Sequence, residues 1–206
     1  MGTVYGTLLN FRSELAAWAP KMHDAPYKAP PKAPVLYIKT ANTRSADGAS
    51  IPVPARAPQV EIGATIAMVM KAPGEVGGYR LMNDLSLPHA SFFRPPVKFK
   101  CLDGFLGIGD ALLPAGPNVN ASKFVLEVRI NGALKQTVRF SELLRDARKL
   151  LADVSGFMTL GEGDALMLGC DILAQGGRPL AKVGDVIELS APGFGKLTNT
   201  LVAEPA

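Results

Sequence analysis

Between Asn83 and Gly109, Asp84, Lys98, Lys100 and Asp103 stand among Phe92, Phe93, Phe99 and Phe105. Lysine beside carboxylates in an apolar setting can stabilise a developing enolate or hold a carboxylate ligand, because charge interactions strengthen as water is excluded. The same residues would serve equally as surface ion pairs, and residue types alone leave both readings open. Other routes to chemistry are poorly supplied. His23 and His89 are the only histidines, and neither lies near a nucleophile elbow or another triad pattern, so His89 is read as a solvated loop residue. Gly161-Glu162-Gly163 and Gly193-Phe194-Gly195 do not continue into the lysine-bearing helix start of a phosphate cradle and are read as turns.

These residues must be held by one compact unit. With 206 residues, 48% hydrophobic and 19% charged, the chain reads as one globular domain over residues 1–206. A core of this size buries roughly 70% of the unfolded surface. The net charge of +4 is spread along the chain without interleaved aromatics, which argues against nucleic acid and fits a small anionic substrate. Cys101 and Cys170 are too few for a disulfide framework and read as buried thiols in a reducing compartment. No apolar run reaches the ~18 residues of a membrane helix, and the first residues lack a charged start followed by an apolar core. The expected location is cytoplasmic.

The positioning elements are mostly strands. Thr3 to Leu9 reads as a strand, followed by a short helix capped by Ser13 and closed by Pro20. The proline-rich stretch from Ala25 to Pro34 is stiff and extended, Val35 to Lys39 is a strand, and Ile51 to Pro54 is an edge segment. Glu61 to Met70 reads as one buried strand and Gly77-Gly78 as a turn before Tyr79 to Asn83. Phe124 to Ile130 alternates cleanly into Asn131-Gly132, the signature of a type I′ hairpin closing on Ala133 to Phe140. A helix is predicted from Ser141 to Gly156, and strands at Ala165 to Gly169 and Asp185 to Leu189. The sum is a strand-rich α+β chain without βα alternation.

Several segments recur in a known order: Asn10-Phe11-Arg12-Ser13, Pro26-Tyr27-Lys28-Ala29-Pro30-Pro31 with Ile38-Lys39, Asn83-Asp84-Leu85-Ser86, Lys100-Cys101-Leu102-Asp103-Gly104-Phe105 and Leu160-Gly161-Glu162-Gly163-Asp164. Over nearly its whole length the chain thereby resembles the fumarylacetoacetate hydrolase superfamily. Within it, the chain looks like the branch formed by the N-terminal subunit or half of bifunctional isomerase/decarboxylases of homoprotocatechuate breakdown. The resemblance implies a mixed β-roll with few flanking helices. It implies decarboxylation of 5-oxopent-3-ene-1,2,5-tricarboxylate and isomerisation of 2-hydroxyhepta-2,4-dienedioate through an enolate-like species. The alternatives are an accessory subunit pairing with a metal-containing paralogue, and an acylpyruvate hydrolase.

Residue by residue, the resemblance is uneven. Metal-binding members hold a divalent cation, Mg2+ by family resemblance, with a strand-borne Glu-x-Glu pair and the aspartate of Asn-Asp-x-Ser. Asp84 matches that aspartate, while Gly63 and Thr65 stand where the glutamates belong, so the site is expected to be incomplete. Glu61 would substitute only with a shift of strand register. Glu14 occupies the place of the hydrolytic histidine and is read either as a helix-surface residue or as a base with a raised pKa. Lys100 and Asp103 match Lys-x-x-Asp, Pro88-His89 replaces an Arg-Asp pair, and Leu168-Gly169-Cys170 replaces Thr-Gly-Thr. The resemblance therefore assigns Lys100, Asp84 and Glu14 to catalysis and Asp103 and Lys39 to substrate binding. A homodimer or a heteromer with a paralogous subunit is the expected assembly.

Overall fold

The computed structural model describes residues 1–91 and 96–205, so Phe92 and Phe93 of the aromatic cluster lie outside the described residues. In chain order the strands are β1 (Val4–Leu8), β2 (Val35–Lys39), β3 (Arg44–Ser45), β4 (Ser50–Val53), β5 (Val60–Glu61), β6 (Ala64–Ala72) and β7 (Glu75–Asp84). They continue as β8 (Leu106–Pro114), β9 (Val125–Ile130), β10 (Ala133–Arg139), β11 (Ala165–Met167), β12 (Leu180–Ala181), β13 (Val186–Ala191) and β14 (Gly195–Ala203). The helices are α1 (Arg12–Trp18), α2 (Val97–Lys100) and α3 (Ala147–Ser155). The fold is α+β and strand-rich, as expected.

A seven-stranded mixed sheet runs β2-β1-β11-β6-β7-β8-β3, a five-stranded one β10-β9-β13-β14-β4, and β12 pairs with β5 alone. Alternation decides how the two large sheets meet. Along β9 and β13 every second residue is buried, and Leu126, Val128, Ile187 and Leu189 join Ile66, Met68 and Leu81 of the larger sheet in one core. Each such side chain contributes roughly 1.5–3 kcal/mol on burial. The opposite face of the larger sheet is covered too. There Ala67, Met82 and Met167 pack with Leu15 and Trp18 of α1. β6 is thus buried on both faces, which explains its continuous apolar run.

Several expected boundaries move, for local reasons. Residues 61–70 do not form one strand: the segment breaks between β5 and β6 around Ile62 and Gly63. Gly77 and Gly78 lie inside β7, and the turn before it falls at Pro73-Gly74, where Gly74 has φ 75°. A Cβ on Gly78 would lie 2.7 Å from the Leu113 carbonyl oxygen of β8, so close strand approach fixes that glycine. Ser13 does not cap α1; it sits inside the helix and bonds Asp171. Pro20 falls in a 3-10 turn that continues α1, at a position where a missing N–H is tolerated. The helix expected from Ser141 begins only at Ala147, because the Asp146 carboxylate accepts the Lys149 N–H at 2.8 Å and caps it there. The hairpin stands as expected, with Asn131 and Gly132 at φ 50° and 78°. β4 is an edge strand, also as expected.

Candidate active site

Two chain segments, β2 and α2, converge on Asp84, the last residue of β7. On β2, Tyr37 and Lys39 are two residues apart and so share a strand face. The Tyr37 ring reaches Asp84 across β1 because Gly6 lies beneath it; a Cβ at Gly6 would run into the ring. From the short α2 comes Lys100. Its Nζ lies 2.6 Å from Asp84 Oδ2 and 4.8 Å from the Tyr37 ring centroid, while the Tyr37 hydroxyl donates to the same carboxylate oxygen. Lys39 Nζ lies 2.9 Å from Asp84 Oδ1. That contact is an ion pair without a hydrogen bond, because the three N–H donors of Lys39 go to the backbone carbonyls of Leu85 at 3.3 Å, Phe105 at 2.8 Å and Lys100. Lys39 therefore ties the end of β7, the end of α2 and the segment leading into β8 into one unit.

Asp84 and Lys100 are fully buried and Lys39 nearly so. Burial alone would raise the Asp84 pKa, but Lys100 and then Lys39, with hydrogen bonds from Lys100 and Tyr37, hold it well below the ordinary carboxylate value. Lys39 is lowered, chiefly by burial and against the pull of Asp84. Two ammoniums on one carboxylate leave one positive charge in excess, withdrawn from water.

A second ionic pair lies beside this cluster. Glu14 of α1 is buried, not on the helix surface. One of its oxygens accepts the Leu9 N–H at 2.6 Å, holding Leu9 at φ 59°, a left-handed backbone that costs a bulky residue about 1–3 kcal/mol. The other accepts from the Arg178 guanidinium at 2.6 Å. Burial raises the Glu14 pKa and Arg178 only partly offsets it. Arg178 is itself held more firmly protonated than usual: burial opposes this, but Glu14, Cys170, Tyr37 and Glu61 together outweigh it. Cys170 marks the adjacency of the two groups: burial pushes its thiol up to about 12, with Arg178, Asp84, Lys100 and Glu14 all acting on it. Over Glu14 and Arg178 opens a cavity of about 260 Å3, also lined by Trp18, Lys21, Glu61 and His89.

The expected site residues thus divide. Asp84, Lys100 and Lys39 are brought into contact, and Glu14 lies beside them. Asp103 is not brought in: it is exposed and accepts a hydrogen bond from Asn42 at 2.6 Å, next to a different cavity lined by Pro52, Pro54 and Arg56. Lys98 is exposed as well. His89 stacks on Phe99 at the cavity instead of standing in solvent, and of the two thiols only Cys170 is buried. Tyr37 and Arg178 were not found by sequence reasoning. For Tyr37 the signal was its spacing from Lys39. Arg178 follows two glycines in a loop and carried none.

The positions that would hold a divalent cation do not suit one. Both Asp84 oxygens face ammoniums, and the Thr65 hydroxyl donates to the Gly169 carbonyl at 2.6 Å. A side chain at Gly63 would run into the Asp84 carbonyl oxygen and lie 3.1 Å from the Cys170 sulfur. Glu61 lines the cavity with Arg178 and does not replace the missing pair. Among the described residues no group of three or more His, Cys, Asp or Glu side chains is placed to hold a metal ion.

Comparison with known proteins places this geometry in a family. Residues 3–202 match the fumarylacetoacetate (FAA) hydrolase C-terminal family model. The chain is 37% identical over 217 residues to the 4-hydroxyphenylacetate degradation bifunctional isomerase/decarboxylase of Escherichia coli, covering 98% of this chain and 48% of that protein. To the protein of the same name from Salmonella dublin it is 36% identical over 213 residues, with the same coverage. The chain thus spans about half the length of these curated relatives. Among solved structures, the 2-hydroxyhepta-2,4-diene-1,7-dioate isomerase of Mycobacterium marinum shares the fold with a TM-score of 0.75 at 23% identity, over 99% of this chain and 75% of that one. On the family match, the identity to these relatives and the shared fold, this chain belongs to the fumarylacetoacetate hydrolase family.

Proposed function

We propose that the chain acts in 4-hydroxyphenylacetate breakdown, decarboxylating 5-oxopent-3-ene-1,2,5-tricarboxylate and isomerising 2-hydroxyhepta-2,4-dienedioate. Loss of CO2 leaves its bonding pair in a conjugated enolate, and isomerisation moves a proton from an enol oxygen to carbon. Both steps gather negative charge on one oxygen. A fixed positive charge in a dry site stabilises that charge without reorganising. The observation that carries the reading is the buried excess charge of Lys39 and Lys100 over Asp84. Lys100 is assigned to the enolate, Asp84 to orienting its ammonium, and Glu14, with its raised pKa, to proton transfer. Lys39, bound to three carbonyls, is assigned to holding the site together.

The test is an assay of the purified chain on the tricarboxylate, with magnesium and with a chelator, beside Lys100→Met. Turnover indifferent to the chelator, and lowered about 100- to 1,000-fold by the substitution, is expected. The variant should fold, since Asp84 keeps Lys39 and Tyr37. Turnover that requires magnesium, or that survives Lys100→Met, sinks the proposal. A second reading, an accessory subunit of a metal-containing paralogue, is favoured by the occupied Asp84 oxygens and by the half-length match. Silence of the chain alone, with Lys100-independent turnover on mixing with such a paralogue, would establish that reading instead.

A further inference from the structure

The cavity of about 260 Å3 over α1 holds a group that the Asp84 cluster does not explain. Arg178 is 7% exposed and lines this cavity. One nitrogen of its guanidinium donates to Glu14, while its buried Nε–H has no acceptor among the described residues. An unmet donor on a buried, charged side chain is costly, and at a cavity wall it points to an oxygen supplied from outside the chain. Glu14 cannot supply it. One of its oxygens bonds a different nitrogen of Arg178 and the other the Leu9 N–H, and neither is bonded to Nε.

The charge around the cavity favours an anion. Arg178 and Glu14 cancel, and Lys21 at the wall, its ammonium 4.7 Å from the Trp18 ring centroid, is set against Glu61. That leaves the surplus positive charge of Lys39 and Lys100 over Asp84 close behind. A planar guanidinium held at one nitrogen by a carboxylate keeps other N–H groups, Nε–H among them, to offer in the fork that matches a second carboxylate. We propose that Arg178 is the carboxylate anchor of this cavity, that Glu14 positions its guanidinium, and that the ligand class is a 2-oxo dicarboxylate. The assignment deepens the enolate reading by naming the residue that grips the substrate, and it rests on that reading for the ligand class. It also supplies a guanidinium in the cavity lined by His89, where Pro88-His89 carries none.

Calorimetric titration of the full chain with 2-oxopimelate, and with its dimethyl ester, tests this without requiring turnover. The free diacid should bind at least 10-fold more tightly than the ester, and Arg178→Gln should weaken the diacid about 10- to 100-fold while leaving the ester unchanged. Arg178→Lys should recover only part of the loss, because a point charge lacks the fork. Should Arg178→Gln fail to fold with Glu14 left unpaired, the double variant Glu14→Gln/Arg178→Gln removes both charges together and gives the same comparison. Equal affinity for acid and ester, a variant that binds the diacid within 2-fold of the wild type, or no binding of the diacid at millimolar concentration overturns the proposal. Arg178-dependent binding without turnover keeps the anchor and sinks the catalytic reading. Turnover with an unchanged KM in Arg178→Gln does the reverse.

Discussion

Two buried ionic groups lie side by side in this protein, and they are built to different ends. In the Lys39–Asp84–Lys100 group every charged head is enclosed, and the carboxylate is shared by two ammoniums and a phenol. In the Glu14–Arg178 group each carboxylate oxygen accepts one hydrogen bond, and the guanidinium keeps an unused donor and borders a cavity. The first joins β2, β7 and α2, three segments far apart in sequence. The second joins α1 to the loop before β12. A charged group enclosed away from any cavity holds the fold and supplies a standing charge, whereas an unused donor on a side chain that lines a cavity marks one that awaits a ligand.

The largest effect expected from this difference is on stability. Asp84→Asn leaves two buried ammoniums facing one neutral amide and should cost about 3–5 kcal/mol, read from urea unfolding. Glu14→Gln should cost less, about 1–3 kcal/mol, because Arg178 keeps an edge on the cavity where water can reach it. Equal losses in the two variants would break the comparison, since both groups would then be structural. A nearly silent Glu14→Gln would sharpen it further, by freeing Leu9 of any dependence on its carboxylate partner.

How much of this could be read in advance depended on whether the signal was local. The hairpin of β9 and β10 is set by alternation and by the positive φ that Asn131-Gly132 tolerates, both visible within a dozen residues. The short β11 and β13 also carried local signals. β8 was not read in advance, because it is placed by β7, more than twenty residues earlier, and by β3; β14 follows β13 in a hairpin, but its other edge is placed by β4 from the far end of the chain. At the site, Asp84, Lys100 and Lys39 were legible through family motifs. Asp103 shares the Lys100 motif yet faces outward, since Cys101 and Leu102 end α2 and turn the chain away before β8. Arg178 was out of reach: nothing in Gly176-Gly177-Arg178-Pro179 points to α1, and only the fold brings it to Glu14. The resemblance sets Gly63 where a metal ligand would stand, but the Asp84 carbonyl oxygen that fills the space of a side chain there could not be read from the sequence.

The finest separation of the two groups is by pH, because their carboxylates are displaced in opposite directions. Asp84 is lowered when folded, so its contribution is fully present above the ordinary carboxylate value, about 4, and is lost as pH falls through its depressed folded value. The stability difference between wild type and Asp84→Asn should therefore be flat above about pH 4 and shrink below it. Glu14 is raised when folded, so between its ordinary and raised values the folded state binds more protons than the unfolded one. There the difference between wild type and Glu14→Gln should decline as pH rises from about 4, and level off above the raised value. Urea unfolding of the three proteins across pH 3 to 7, with each variant subtracted from the wild type, isolates the two carboxylates from every other titrating group. Slopes of opposite sign on either side of about pH 4 are the expected result. Slopes of the same sign would mean that Arg178 outweighs burial at Glu14, that the pair is as closed as its neighbour, and that the guanidinium is held too tightly to turn toward a ligand.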